Sequence, residues 1–183
     1  MTPPTLVRVT AASDALDRLT AIVPDFPAPG VVFRDLTPVL ADAAALRAVA
    51  TELAAAATGP FDAIAGVEAR GFALAAAAAA ASGTGLVLIR KAGKLPRPVY
   101  AREYALEYGA ATLELHRDEL PAGSRVLLVD DVLATGGTLE AAVGLLADAS
   151  LEVAGVSVAL ELAALGGRAR LGRDDVHAIS TVG

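Results

Sequence analysis

Residues 126–138 read Val126-Leu127-Leu128-Val129-Asp130-Asp131-Val132-Leu133-Ala134-Thr135-Gly136-Gly137-Thr138, and this stretch decides the fold. Its four leading aliphatic residues predict a strand buried in a parallel sheet. Two adjacent carboxylates come next, followed by a loop rich in threonine and glycine. After the loop, the spacing of Leu139, Val143 and Leu146 predicts a helix.

This order of strand, glycine loop and helix start suits a bound phosphate. Glycines let backbone N–H groups approach an anion, threonine hydroxyls add donors, and a helix N-terminus favours negative charge. The carboxylates of Asp130 and Asp131 then need another role, and sugar hydroxyls or a divalent cation would supply one. A phosphorylated sugar offers both. The alternative interpretation is a solvated Asp-Asp turn before an ordinary helix cap.

Two common nucleotide-binding motifs are missing from the sequence. There is no Gly-x-x-x-x-Gly-Lys-Ser/Thr pattern, and no Gly-x-Gly-x-x-Gly follows a predicted strand. These absences argue against a P-loop nucleoside triphosphatase and against a Rossmann dinucleotide site.

Composition narrows the function classes further. The 183 residues fit one domain, predicted to span 1–183, with a core of Ala, Val and Leu because aromatics make up only 4%. Without cysteine, the chain has no disulfide, no thiolate catalysis and no cysteine-based zinc site. The net charge of −6 argues against general nucleic-acid binding. The N-terminus lacks the apolar segment of a signal peptide, and the apolar run 73–81 is too short to span a bilayer, so we expect a cytoplasmic protein without membrane association.

The basic residues are concentrated in one region of this acidic chain. Five of the fifteen lie within thirteen positions, and both lysines are among them: Arg90, Lys91, Lys94, Arg97 and Arg102. Such a cluster focuses positive potential on a polyanion. A solvated charged loop is the alternative.

Helical and strand patterns alternate along the chain. Helices are predicted over 11–22, 42–57 and up to residue 82, and strands over 61–67, 86–89, 126–129, 155–160 and 177–181. The helix at 11–22 has Ser13 or Asp14 as its candidate cap. Such alternation predicts a parallel sheet covered on both faces, with ligands beyond the carboxyl ends of its strands. Residues 68–71, 90–94 and 130–138 all follow predicted strands and should converge there. Residues 91–115 are the least regular part, with a possible hairpin around 106–115, and their length predicts a lid.

Several blocks carry a family resemblance. Residues 126–138 resemble the phosphoribosyl-pyrophosphate (PRPP) signature of the type I phosphoribosyltransferases. Four more blocks, at 24–38, 68–72, 89–96 and 106–109, resemble adenine phosphoribosyltransferases in order and approximate spacing. The signature alone does not identify the base, whereas 24–38 and 106–109 are specific to the adenine enzymes. The resemblance covers 24–165 and carries nothing over before residue 20 or after Gly167.

The resemblance implies an α/β fold in which helices flank a parallel sheet, with a small base-binding hood formed by about residues 1–38 and a flexible lid loop. It implies a purine salvage transferase that forms AMP and pyrophosphate from adenine and PRPP. It further implies Mg²⁺ held mainly by PRPP, with Asp130 and Asp131 nearby, and a homodimer.

The resemblance also implies a role for each site residue. Asp130 and Asp131 would hold the ribose hydroxyls, and the 5′-phosphate would lie on Ala134, Thr135, Gly136, Gly137 and Thr138. Pyrophosphate would contact Arg70, Arg90 and Lys94. Arg90 and Lys94 would come from the same subunit or from a neighbouring one, and the loop that carries Arg70 would contain a cis peptide bond between Glu68 and Ala69. Adenine would bind Val32, Phe33, Arg34 and Leu162. Glu107 and Tyr108 would lie in the lid, where Glu107 would be catalytic together with Arg70, as an acid–base group or as an electrostatic stabiliser.

Two alternatives to this function stay open at the level of sequence. One is a phosphoribosyltransferase for another base, such as xanthine, hypoxanthine or orotate. The other is a regulator that senses PRPP or a purine without chemistry. The presence of Glu107 and the lack of a DNA-binding extension favour the enzyme.

Overall fold

The computed structural model describes residues 10–105 and 110–183. The helices are α1 (Ala11–Leu19), α2 (Thr37–Ala41), α3 (Ala43–Ala55), α4 (Arg70–Ser82), α5 (Gly137–Asp148) and α6 (Gly167–Leu171), and a 3-10 turn spans Ala163–Leu165. The strands are β1 (Ala21–Pro24), β2 (Val32–Asp35), β3 (Ala63–Val67), β4 (Gly85–Lys91), β5 (Val99–Ala105), β6 (Ala110–His116), β7 (Arg125–Leu133), β8 (Glu152–Leu162) and β9 (Val176–Val182).

Seven strands form one sheet in the order β5-β6-β4-β3-β7-β8-β9. The five strands from β4 to β9 in that order are parallel, whereas β5 and β6 form an antiparallel hairpin that continues the sheet beyond β4. Helices join the neighbouring parallel strands β3 and β4, β7 and β8, and β8 and β9, through α4, α5 and α6 respectively. The predicted α/β fold is confirmed, with the addition of this antiparallel edge.

The sheet carries a hydrophobic core on each face because side chains alternate along its strands. On β7, Val126 and Leu128 contribute to one core, and Leu127 and Val129 contribute to the other. Helices α1, α3 and α4 cover the second core, and α5 packs with the β5–β6 hairpin on the first. The continuous aliphatic run of β7 is therefore explained by burial on both faces.

Strands β1 and β2 form a separate two-stranded antiparallel ribbon, with Ala21 opposite Asp35 and Pro24 opposite Val32. It carries exposed apolar side chains, among them Ile22 and Val32. The ribbon lies in the region where the hood was expected.

Several predicted boundaries were wrong. Helix α1 ends at Leu19, and its cap is Thr10, which exchanges hydrogen bonds with Ser13 in a capping box, so neither Ser13 nor Asp14 is the cap. The irregular stretch predicted over 91–115 is mostly the β5–β6 hairpin, which is longer than the hairpin expected at 106–115. Strand β7 runs to Leu133, so the two aspartates belong to the strand and do not follow it. Within the described residues, the structure contains no helix with the length and apolarity needed to cross a membrane.

Candidate active site

A cleft of about 470 Å³ opens at the carboxyl ends of β3, β4 and β7. Its lining comes from residues 68–70 after β3, Lys91 at the end of β4, residues 130–139 from β7 into α5, and Tyr104 of β5. The three loops that the sequence predicted to converge therefore do so. In parallel sheets, this edge is the usual place for a ligand.

Residues 134–138, predicted to bind phosphate and here called the phosphate loop, connect β7 to α5 and include the first two residues of that helix. Gly136 has a φ of 82°, a left-handed conformation that L side chains rarely adopt, and it directly precedes the first residue of α5. The first residues of α5, 137–139, line the cleft, and because the first N–H groups of a helix have no partner within it, they are available as donors for an anion.

Asp130 and Asp131 are both buried, with 8% of each residue exposed. The Asp131 N–H donates to Asp130 Oδ1 at 2.8 Å, and Arg70 Nε donates to Asp131 Oδ2 at 2.5 Å. Burial raises the pKa of Asp130, and the neighbouring Asp131 charge raises it further. Gly71 permits this arrangement, because a Cβ there would lie 2.6 Å from Asp130 Oδ1.

Glu68 gathers the cations beside the cleft. Its carboxylate pairs with Lys94 Nζ, accepts the Lys91 N–H at 2.9 Å and lies 3.5 Å from Arg90 Nε. Arg90 also donates to the Lys94 carbonyl at 3.1 Å. Burial works to raise the pKa of Glu68, but the hydrogen bonds from Lys94 and Lys91 and the charge of Arg90 outweigh it and lower the pKa. The expected cis peptide bond between Glu68 and Ala69 is present.

Arg70 connects the acid pair to the β1–β2 ribbon. Its guanidinium carbon lies 5.1 Å from the centre of the Phe33 ring, within cation–π range. Phe33 in turn packs edge-to-face against Phe26, with ring centres 5.1 Å apart. Phe33 is therefore connected to the cleft by its contact with Arg70, which lines it.

The other residues predicted to bind adenine lie around this ribbon. Arg34 lines a second cavity of about 250 Å³, together with Ile22 of β1 and Leu160 of β8. Leu162 lies two residues further along β8, on the same face of the strand as Leu160. Val32 is exposed at the start of β2. None of these three is among the residues that line the larger cleft.

The β5–β6 hairpin borders the cleft through Tyr104. Arg102 ties the hairpin to α5, since its guanidinium donates to Asp148 at 2.8 Å and lies where a Cβ of Gly144 would be. Glu107 and Tyr108, predicted as lid residues, lie outside the described part of the chain.

The carboxylates present fit a divalent cation only in part. No group of three or more ligating side chains occurs in residues 10–105 and 110–183. Asp130 and Asp131 provide two acids at the cleft, and Mg²⁺ typically binds one or two carboxylates together with substrate phosphates. The donor set therefore suits a cation that arrives with a phosphorylated ligand.

Comparison with known proteins agrees with this geometry. Residues 36–181 match the family model of the phosphoribosyl transferase domain. The adenine phosphoribosyltransferase of Clavibacter sepedonicus is 67% identical over 170 residues, which cover 93% of this chain and 88% of that protein. The chain belongs to the adenine phosphoribosyltransferase family.

Solved structures of adenine phosphoribosyltransferases share the fold. The enzyme from Thermoanaerobacter pseudethanolicus superposes with a TM-score of 0.88 at 41% identity, covering 93% of this chain and 99% of that one. The Saccharomyces cerevisiae enzyme, complexed with an imino-altritol bisphosphate and adenine, gives a TM-score of 0.85 at 31% identity, with coverages of 92% and 98%. The expected family and type I phosphoribosyltransferase fold are confirmed.

In this member of the adenine phosphoribosyltransferase family, most of the residues predicted to bind PRPP line the cleft: Arg70, Asp130, Asp131, Ala134, Thr135, Gly136, Gly137 and Thr138. Arg90 and Lys94 lie beside it on Glu68. Sequence reasoning gave no role to Glu68 or Tyr104, and it gave Lys91 only a place in the basic cluster. Glu68 had one available signal, since it is the acid that directly follows β3 at the predicted ligand edge.

Proposed function

We propose that this chain transfers the 5-phosphoribosyl group of PRPP to adenine and releases AMP and pyrophosphate, a purine salvage reaction. The observation that carries the proposal is the cleft, in which a buried acid pair, a glycine loop at a helix N-terminus and Arg70 meet at one sheet edge. Adenine as the base is supported by the names of the relatives and by the ribbon beside the cleft.

The acid pair and the phosphate loop would hold the phosphorylated ribose. Asp130 and Asp131 accept hydrogen bonds, and the 2′- and 3′-hydroxyls are donors of matching number. The phosphate loop and the first N–H groups of α5 would bind the 5′-phosphate. Together they fix the sugar so that C1′ faces the base, which removes much of the entropic barrier to reaction.

Pyrophosphate would bind basic side chains that are paired with carboxylates in the ligand-free protein. Arg70 is paired with Asp131, and Lys94 and Arg90 are paired with Glu68. An anion with several charged oxygens competes well for such donors. As the bond to C1′ breaks, charge grows on the leaving pyrophosphate, and these cations stabilise it where it develops.

Adenine would bind between the ribbon and the sheet. We assign Val32, Phe33 and Arg34 to one side and Leu162 to the other. Because the ribbon has two strands, β2 has one edge without a strand partner in the described residues, and its backbone groups are available to read the edge of a purine. A backbone carbonyl there would accept a hydrogen bond from the 6-amino group.

Mg²⁺ and Glu107 complete the proposal. Asp130 and Asp131 would contribute to holding Mg²⁺, which neutralises phosphate charge when it is bound. Glu107 would either move the proton that adenine loses or stabilise positive charge on the reacting ring. Closure of the region that includes Tyr108 would exclude water from the reacting centre.

We further propose a cytoplasmic homodimer. Leu86 and Leu88 of β4 are each 36% exposed and, two residues apart in a strand, lie on the same face of the sheet. A twofold-related copy would cover them and bring the basic segment 90–102 close to the partner's cleft. The proposal of a cytoplasmic location is supported by the high charge of the proposed substrates and products, which do not cross membranes unaided.

The test is a product assay with the full chain. Incubation with PRPP, adenine and Mg²⁺ should give AMP and pyrophosphate in equal amounts, and Asp131→Asn should weaken PRPP binding far more than adenine binding. AMP formation without such a PRPP effect would exclude the acid pair from the site. PRPP binding without product from any base would favour a sensor.

A further inference from the structure

The residue that opens α6 touches the phosphate loop backbone to backbone. A Cβ added to Gly136 would lie 2.7 Å from the Gly167 carbonyl oxygen. A Cβ added to Gly167 would lie 3.0 Å from Gly136 N and would overlap the Ala134 carbonyl oxygen. Because no flexible side chain separates the two segments, a displacement of Gly167 must displace the loop.

Arg168, the next residue, is held at both ends of its guanidinium group. Its Nε donates to the two carboxylate oxygens of Glu161 at 3.0 and 3.1 Å, and one terminal nitrogen donates to Glu161 Oε2 at 2.6 Å. The other terminal nitrogen donates to the Val176 carbonyl at 2.7 Å. A rigid planar fork with partners on both sides restrains the guanidinium group, and through it Arg168 anchors α6 to β8 and β9.

Glu161 is a buried charge next to the start of the loop. It lies in β8 opposite Leu133, the last residue of β7 before the phosphate loop begins. The Glu161 side chain is 7% exposed and the Arg168 side chain 43%, so the pair contributes little net stability, but its hydrogen bonds are directional. The pair therefore joins α6 to the strand from which the loop emerges.

We propose that the Glu161–Arg168 pair positions the phosphate loop for the 5′-phosphate. The pair holds Gly167 against Ala134 and Gly136, and this contact keeps the loop's N–H groups directed at the anion. Neither Glu161 nor Arg168 lines the cleft, so Arg168 acts through Gly167 and is a positioning residue. The inference rests on the phosphate role of residues 134–138 proposed above.

The experiment measures the dissociation constant of ribose 5-phosphate by calorimetry on the full-length protein. Arg168→Lys keeps the charge but loses the fork, and Glu161→Gln keeps the volume but loses the charge. Each should weaken ribose 5-phosphate at least about fivefold and raise the KM for PRPP, since small misplacements of binding groups are costly. The KM for adenine at saturating PRPP should stay within twofold of wild type.

Arg170→Ala is the matched control on the same helix. Arg170 pairs with Glu140 at 2.8 Å on the surface, and its loss should leave ribose 5-phosphate affinity unchanged. Thermal unfolding of every variant verifies that it is folded at the assay temperature. If Arg168→Lys is not folded, Glu161→Gln decides the test.

Folded variants with wild-type ribose 5-phosphate affinity would overturn the inference, and so would equal weakening of adenine and ribose 5-phosphate. Failure of the proposed function has a different signature, since wild-type protein would then form no AMP from adenine.

Discussion

Replacing Arg70 with alanine should damage both the stability of the protein and its handling of pyrophosphate. The Asp131 side chain is only 11% exposed, and Arg70 is the cation paired with it, so the variant leaves a buried carboxylate beside a second one. A polar group left unsatisfied in this way costs about 1–2 kcal/mol after allowance for the part-exposed arginine, and the lost contact with Phe33 adds about 0.5 kcal/mol. We therefore expect a loss of about 2 kcal/mol, or a fall in Tm of about 4–8 °C.

Adding Asp131→Asn to Arg70→Ala separates the effect on stability from the effect on PRPP binding. In Arg70→Ala/Asp131→Asn, the unpaired charge is gone, so about 1 kcal/mol of the loss should return. PRPP binding should not return, because each change removes charge-assisted hydrogen bonds to the substrate that are worth about 1.5–3 kcal/mol. The KM for PRPP should thus be raised about tenfold or more in both single variants and in the double variant.

The assays are thermal unfolding and initial rates at varied PRPP, with pyrophosphate as product inhibitor. Arg18→Ala is the control, because Arg18 has a similar 2.9 Å pair with Asp14 that is fully on the surface, and its loss should change stability by less than about 0.5 kcal/mol. Additive losses in the double variant would refute the coupling of Arg70 to Asp131. Unaltered pyrophosphate inhibition in Arg70→Ala would remove Arg70 from the site.

Three other substitutions test single groups. Asp130→Asn should stabilise the ligand-free protein at neutral pH and weaken PRPP binding. The folded protein raises the pKa of Asp130, so the wild-type carboxyl group costs stability as the pH rises above about 4. The gain in Tm of the variant over wild type should therefore vanish in acid. Glu68→Gln should destabilise the protein at pH 7, because the folded protein lowers the pKa of Glu68 and the ionised carboxylate therefore stabilises the fold at a pH above its ordinary pKa. The difference in Tm between this variant and wild type should fade as the pH falls below about 4. Glu107→Gln should lower kcat with little change in either KM, since a group that acts on developing charge matters mainly in the transition state, and full activity would make it a solvated acid.

Much of the parallel core and of the cleft could be predicted from sequence because both depend on local patterns. The aliphatic run of β7 and the helical spacing after it are visible in sequence, and the carboxyl-edge rule for parallel sheets then brings residues 68–71 and 130–138 together. The β5–β6 hairpin was not predictable in the same way. Tyr100 and Tyr104 face its core side, but Arg102 shares that face and packs on α5, so the alternation of apolar and polar residues is lost.

The contacts that sequence could not supply join residues far apart in the chain. Glu68 meets Lys91 and Lys94 only because β3 and β4 pair in parallel register, with Val67 opposite Ile89. The contact of Gly136 with Gly167 depends on how α6 returns to the sheet edge. No local periodicity encodes either contact, and the resemblance carried nothing over beyond Gly167.

The most direct measurement of the central claim is a comparison of initial rates for adenine and hypoxanthine at the same PRPP and Mg²⁺ concentrations. A backbone acceptor in the ribbon would pair with the 6-amino group of adenine, whereas the 6-oxo group of hypoxanthine would leave it buried and unpaired. We therefore predict that kcat/KM for adenine exceeds that for hypoxanthine by several orders of magnitude, about 10⁴ or more. Comparable values for the two bases would contradict the assignment of adenine as the substrate.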